Sequence, residues 1–312
     1  MVVRAPLRVA LGGGGTDLPA HYREHGGLVV STAIDKYIQI VVATPFQRSS
    51  DPAYRLKHLE WEEAESPPEV RHPILREALV HHWRGGPIEL ASVSDVLPGT
   101  GLGSSGAYSV AAVAALSDEM PSPGALAEAA CHLEIDVLGR SIGKQDAYAA
   151  AFGGLRAYSF RPDDSVEARE LAVSDEVRRA LREDFLLFFT GQERSASDIL
   201  GAGQVEHVLH SLKELALEMC DVLQKGALDR MSELMDAHWE VKRERAPGTV
   251  TPEMDELRER ARRRGSCGVI SLGAGGGGFL LVYSPEPERT RAAMEGAPEL
   301  RFGLDERGCV RL

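Results

Sequence analysis

The sequence predicts an α+β protein of two domains. Three observations lead there. The chain has 312 residues, more than a single hydrophobic core commonly serves, and 43% of them are hydrophobic. Its strand-like and helix-like segments come in mixed order rather than as a regular βαβ alternation. An acidic, polar stretch at 161–176 separates them, placing the domains at 1–175 and 176–312.

LRVALGGGG (7–15) reads as a strand ending in a glycine turn, and LVVSTAIDKYIQIVVAT (28–44) as one or two β-branched strands. Residues 45–72 are polar, charged and proline-bearing and predict a surface hairpin or excursion. HPILREALVHHW (72–83) has helical spacing with proline at an early position. A strand at 88–93 leads through PGTGLGSSG (98–106) into a helix at 107–116. The segment 122–139 predicts one helix with Ser122 as cap and Gly139 as stop. The loop RSIGKQD (140–146) joins it to the helix AYAAAFGG (147–154), and LRAYSF (155–160) is a strand. FLLFFTG (185–191) is a buried strand. Residues 198–245 are helical with a break at Gly226, and 252–264 is a charged helix. CGVISLGAGGGGFLLVYS (267–284) is a strand, glycine loop and strand.

The formal charge of −12 argues against nucleic acid or an anionic membrane as partner, so a phosphorylated ligand would need a local basic pocket. Cys131, Cys220, Cys267 and Cys309 are scattered without metal spacing, as in a reduced intracellular protein. Arg4 and Arg8 interrupt any apolar leader, and no run approaches a membrane span. The expectation is a cytoplasmic protein; a homo-oligomer is compatible with it.

PGTGLGSSG is the most informative stretch. Glycines allow close backbone approach, and the start of the following helix favours an anion. Ser104 and Ser105 add hydroxyls for phosphate or metal. The G-x-G-x-x-G match alone is weak, and it sits far from the first strand, where a dinucleotide fold places it. GRSIGKQ (139–145) departs from a P-loop, with Gln145 where Ser or Thr belongs. GGGG (12–15) and GAGGGG (273–278) are each readable as turns, yet three such loops suggest one shared ligand site. Single residues keep two readings. Asp146 and Asp17 suit helix caps, Glu134 a solvated helix face, Arg8 a solvent-facing strand position, Lys144 an ordinary loop. His207 and His210 read as surface residues, and the Met and aromatic positions of 215–239 as core.

Together APLRVALGGGGTDL (5–18), PGTGLGSSG (98–106) and SLGAGGGGFLLV (271–282) resemble the three signature motifs of the galactokinase, homoserine kinase, mevalonate kinase and phosphomevalonate kinase superfamily, over essentially the full length. Within it, STAIDKYI (31–38), HPILREAL (72–79), IGKQDAYAAAFGGL (142–155) and FFTGQERSASDIL (188–200) are similar to the D-glycero-D-manno-heptose 7-phosphate kinases. Gly106 departs from the pattern, where alanine or serine is commoner, and a small residue should be tolerated there. The resemblance implies an N-terminal domain like ribosomal protein S5 domain 2 and a ferredoxin-like C-terminal domain, with ATP and sugar in the cleft between them.

It also implies roles. Pro98, Gly99, Thr100, Gly101, Leu102, Gly103, Ser104, Ser105 and Gly106 would hold the ATP phosphates, and Ser105 with Glu134 would hold Mg²⁺. Asp146 would be the catalytic base, with Arg8 as its basic partner. Gly14, Gly15, Thr16 and Asp17 would bind sugar hydroxyls. Gly275, Gly276 and Gly277 would close over the transfer site, and Lys144 and Arg194 would meet a phosphate already on the sugar. The implied reaction is ATP-dependent phosphorylation of the anomeric C1 hydroxyl of a heptose 7-phosphate, giving a 1,7-bisphosphate for nucleotide-activated heptose. The rivals are a C1 kinase of fucose or a related hexose, a catalytically silent sugar-binding regulator, and, more remotely, a dehydrogenase.

Overall fold

A computed structural model of the chain describes residues 1–46, 52–192, 206–244, 248–263 and 268–312. Its first part runs β1 (Val2–Gly12), α1 (Pro19–His25), β2 (Gly27–Ala43), β3 (Tyr54–Lys57), β4 (Trp61–Ala64), α2 (Pro73–His82), β5 (Ile88–Ser94), α3 (Ser104–Leu116), α4 (Pro123–Cys131), α5 (Gln145–Phe152), β6 (Leu155–Phe160) and β7 (Val166–Glu170). Then follow α6 (Asp175–Glu183), β8 (Phe185–Phe189), α7 (Glu206–Lys225), α8 (Met231–Arg243), α9 (Pro252–Arg262), β9 (Gly268–Ser271), β10 (Phe279–Tyr283), α10 (Pro287–Ala293), β11 (Glu299–Leu300) and β12 (Val310–Arg311).

The first sheet has the order β12-β1-β2-β5-β3-β4, with β6 and β7 added along β2. The edge of β2 away from β1 serves two neighbours, because β2 pairs with β6 through Gly27–Thr32 and with β5 through Ile38–Ala43. Helices α3, α5 and α7 lie against this sheet, and α2 and α4 pack on α3. The hairpin expected within 45–72 is β3–β4, joined to β5 by a parallel pairing. Part of the polar stretch at 161–176 is strand: Val166–Glu170 turns back as β7 against β6 before the chain leads on to α6. The tail assigned to the second domain also returns, Val310 and Arg311 pairing with β1 and Leu304 with Ile34.

The second sheet has the order β11-β8-β10-β9. Its strands read FLLFF and FLLVY without alternation because both faces are covered. Phe185, Leu187, Leu281 and Tyr283 join the main core, whereas Leu186, Phe188, Leu280 and Val282 pack with Trp239, Met254 and Met294. The methionines and Trp239 of 215–239 are buried, as expected of core. Helix α7 ends at Lys225 before Gly226, and Ser122 caps α4 through the N–H of Ala125. Among the described residues no helix is long and apolar enough to cross a membrane.

Candidate active site

All three glycine loops reach one cavity of about 870 Å³. Arg8, Gly14, Gly15, Asp17, Pro98, Gly99, Gly101, Gly103, Ser104, Ser105, Asp146, Gly275 and Gly277 line it. Loop 98–103 ends at Gly103, which adopts a positive φ of 77° and starts α3 without a side-chain cap. The unpaired N–H groups of the first turn of α3 therefore remain for an anion.

Much of the glycine requirement is met by protein rather than ligand. A Cβ on Gly101 would come within 2.9 Å of the Leu272 carbonyl, and one on Gly273 within 2.6 Å of the Gly101 Cα. The second and third loops thus touch backbone to backbone, fastened by the Phe279 N–H on the Thr100 carbonyl at 3.1 Å. Lys242 reinforces the junction by donating to the carbonyls of Ser271 and Gly273.

Behind Ser105 lies Glu134, only 1% exposed. The expected single helix over 122–139 instead ends its α-helical part at Cys131 and continues as a π-helical turn from His132 to Val137. That wider turn carries Glu134 inward. Its carboxylate accepts from the hydroxyls of Ser105 and Ser109, the latter at 2.8 Å, and from Arg140 Nη1 at 2.7 Å. The solvated-face reading of Glu134 is thereby corrected. Oxygen donors of this kind suit a hard divalent cation, and Ser105 and Glu134 are close enough to share one. Among the described residues no three His, Cys, Asp or Glu side chains form a metal cage. Such an ion would therefore take its remaining ligands from phosphate and water.

Arg8 is buried at 3% exposure rather than solvent-facing. Its Nε and Nη2 donate to Asp146 Oδ1 at 2.8 and 2.6 Å, and its Nη1 donates to the Gly101 carbonyl at 2.6 Å. Asp146 sits one residue inside α5 and makes no cap there. The guanidinium thus fixes the Asp146 carboxylate beside the second glycine loop.

Asp17 caps a helix, but not the one that follows it. Its carboxylate accepts from the backbone of Gly15 and Gln145 at 2.9 and 3.0 Å and from Gln145 Nε2 at 3.1 Å, which ties the first glycine loop to the start of α5. Burial pushes its carboxyl above the usual range, against the pull of those N–H groups.

Several expected contacts are absent. Thr16 turns inward, its hydroxyl donating to the Gly13 and Leu28 carbonyls. Thr100 bonds the Leu97 carbonyl, Leu102 is fully buried, Gly106 faces α5, and the Gly276 N–H bonds the Thr249 carbonyl. None of these five lines the cavity. Lys144 is likewise withdrawn: its Nζ donates to both Glu128 carboxylate oxygens at 3.0 and 3.1 Å and to the Asp164 carbonyl. A buried amine with these partners holds the fold together and does not meet a sugar phosphate. Lys144→Met should therefore lower stability by about 1–3 kcal/mol while leaving the sugar KM nearly unchanged, as melting curves and steady-state rates will read. Arg194 and Cys267 lie outside the described residues.

The sequence reading passed over four residues of this region. Ser109 was findable, being one helical turn beyond Ser105. Gln145 and Arg140 offered no local pattern. His72 lines the cavity, accepts the Leu75 N–H through Nδ1 and lies against the rings of His58 and Tyr108. Burial, then the neighbouring His58, lowers its imidazole to about 4, with Arg140 acting the same way and Glu62 opposing. A histidine held neutral in the fold but free to charge when unfolded stabilises above pH 6.5, and that contribution is lost as pH falls towards 4. The Tm advantage of the wild type over His72→Asn should accordingly shrink across that window. A constant difference would contradict the assignment.

Comparison with known proteins follows the same lines. Family models described as GHMP kinases N terminal domain and GHMP kinases C terminal match residues 73–154 and 219–298, together just over half of the chain. The chain is 26% identical to D-glycero-alpha-D-manno-heptose 7-phosphate kinase of Campylobacter jejuni, over 90% of this chain and 88% of that protein. It is also 26% identical to the bifunctional fucokinase/GDP-fucose pyrophosphorylase of Arabidopsis thaliana, spanning 97% of this chain but 31% of that longer one. A solved D-glycero-D-manno-heptose 1-phosphate kinase from Bacteroides thetaiotaomicron superposes with a TM-score of 0.80 at 20% identity, covering 100% of this chain and 99% of the other. Galactokinase of Lactococcus lactis, solved with galactose, gives 0.76 at 16% identity, with 100% and 95% covered. These structures share the fold.

Proposed function

The chain belongs to the GHMP kinases and is an ATP-dependent phosphotransferase; from that premise we propose that it phosphorylates the anomeric C1 hydroxyl of a D-glycero-D-manno-heptose 7-phosphate, giving a 1,7-bisphosphate for nucleotide-activated heptose. The observation that supports this most is the Arg8–Asp146 pair, held between the open start of α3 and the Asp17–Gln145 corner of one cavity. In this reading the halves of the protein are S5-domain-2-like and ferredoxin-like, and the cavity is the cleft between them. A cytoplasmic location, where ATP is plentiful, belongs to the same reading.

The geometry supports the following roles. The α3 N-terminus and the backbone of Gly99, Gly101 and Gly103 cradle the phosphates. Ser105 and Glu134 would hold Mg²⁺, which when bound offsets phosphate charge. Asp17 and Gln145, with Gly14 and Gly15 beside them, orient the sugar. Asp146 accepts the proton of the attacking hydroxyl, and Arg8 holds that carboxylate in place. Because phosphoryl transfer is loose, positioning by these fixed groups contributes more than base strength. The loop carrying Gly275 and Gly277 covers the transfer site. Arg194 is our assignment for the phosphate already on the sugar.

ADP release with heptose 7-phosphate, the unphosphorylated heptose and fucose tests the acceptor. Turnover that depends on the 7-phosphate supports the proposal. Equal or faster turnover of free fucose replaces it with a hexose C1 kinase, a reading favoured by the similarity to the Arabidopsis fucokinase.

A further inference from the structure

We propose that Arg140 is a built-in substitute for the divalent cation: its guanidinium occupies the Glu134–Ser105 site until a nucleotide draws it away, so that metal ion and nucleotide bind as a coupled pair. This rests on the kinase reading above and adds to it a residue that controls when the metal site opens.

The first observation is position. Arg140 Nη1 lies 2.7 Å from Glu134 Oε2 and 3.3 Å from Ser105 Oγ, where an ion shared by those two oxygens would sit. The second is need. Glu134 is almost wholly buried, and a carboxylate in that setting requires a counter-charge. The two serine hydroxyls are neutral, and Arg140 is the cation that its contacts supply.

The third observation is how Arg140 is delivered and how it can leave. The chain exits the π-helical turn through Gly139 at a φ of 65°, and the Arg140 N–H then bonds the Glu134 carbonyl at 3.0 Å. The backbone is therefore fixed beside the carboxylate it neutralises. Its side chain lines the cavity and is 33% exposed, so it can swing without disturbing the core. Arg8, the other arginine lining the cavity among the described residues, is already engaged by Asp146 and the Gly101 carbonyl.

Two cations cannot share one carboxylate oxygen at hydrogen-bond range without strong repulsion. Metal entry therefore requires Arg140 to find another anion. The phosphates of a nucleotide in the cavity, a diphosphate included, supply it, since a guanidinium fork matches phosphate oxygens. By linkage, nucleotide raises metal affinity and metal raises nucleotide affinity by the same factor.

The test is Mn²⁺ binding, followed by the EPR signal of the unbound ion, with and without ADP. For Arg140→Gln without nucleotide, Mn²⁺ should bind about tenfold tighter than to wild type, and the gain in Mn²⁺ affinity on adding ADP should shrink by a similar factor. Arg140→Lys, which keeps the charge but loses the fork, should fall between them and guards against a folding defect in the glutamine variant. Adding Glu134→Gln to Arg140→Gln should abolish the nucleotide-free Mn²⁺ binding. Equal Mn²⁺ affinity in wild type and Arg140→Gln overturns the proposal, as does binding that survives loss of Glu134. If ADP binds neither protein, the kinase reading itself fails.

Discussion

Asp146→Asn is expected to lower kcat by about 10²–10⁴-fold while ATP affinity changes little. The amide is nearly isosteric, and its oxygen can still accept from the Arg8 guanidinium, so the 2.6 Å contact survives as a hydrogen bond without the ion pair and the cavity keeps its shape. What disappears is the ability to take the hydroxyl proton. Asp146→Ala is the harsher change, because it also leaves the buried Arg8 guanidinium with the Gly101 carbonyl as its one remaining hydrogen-bond partner among the described residues. Its stability should fall beyond that of the asparagine variant. Stopped-flow nucleotide binding and steady-state rates separate the two effects. Near-full turnover in Asp146→Asn would remove the carboxylate from the chemistry.

Gly106→Ala is expected to be both less stable and less active, against the sequence-based expectation that a small residue is tolerated there. A Cβ at this position would lie 2.6 Å from Asp146 Cβ and 2.7 Å from the Ala147 nitrogen. The opposing element is the start of α5, whose backbone is bound to Asp17 and cannot yield cheaply. Alanine favours a helix over glycine by about 1 kcal/mol, whereas overpacking costs about 1–3 kcal/mol, so the steric effect decides the sign. The displaced group is Asp146 itself. A misplacement of about 1 Å is enough to cost some 10²-fold in kcat. A stabilised and fully active variant would show that α3 and α5 are not packed as described.

What could be read from the sequence was local. The three glycine loops, the cap at Ser122 and the proline that opens α2 are short-range signals, and each falls on a corresponding turn or helix end. The unalternating apolar runs of β8 and β10 likewise announce strands covered on both faces. Features that depend on distant partners were not legible. Helical spacing does not distinguish a π turn from α-helix, so the inward rotation of Glu134 has no signature. The polar residues 161–176 look like a junction because β7 is an outer strand of its sheet, and the tail's return to β1 is a long-range pairing.

The candidate site divides the same way. Arg8, Asp17 and Asp146 are individually ordinary, and only the resemblance grouped them. Thr16 and Lys144 stand within motifs yet turn their polar atoms into the fold, which spacing alone does not reveal. Arg140 lies in an unremarkable loop and gains its place through the positive φ of the preceding glycine.

Phosphorus NMR of the product formed from ATP, Mg²⁺ and D-glycero-D-manno-heptose 7-phosphate tests the central claim most directly. The account predicts a second phosphate resonance coupled to the anomeric proton, with the 7-phosphate resonance retained and ADP formed in equal amount. A new phosphate on any other carbon, or ADP formed without a phosphorylated sugar, would contradict it.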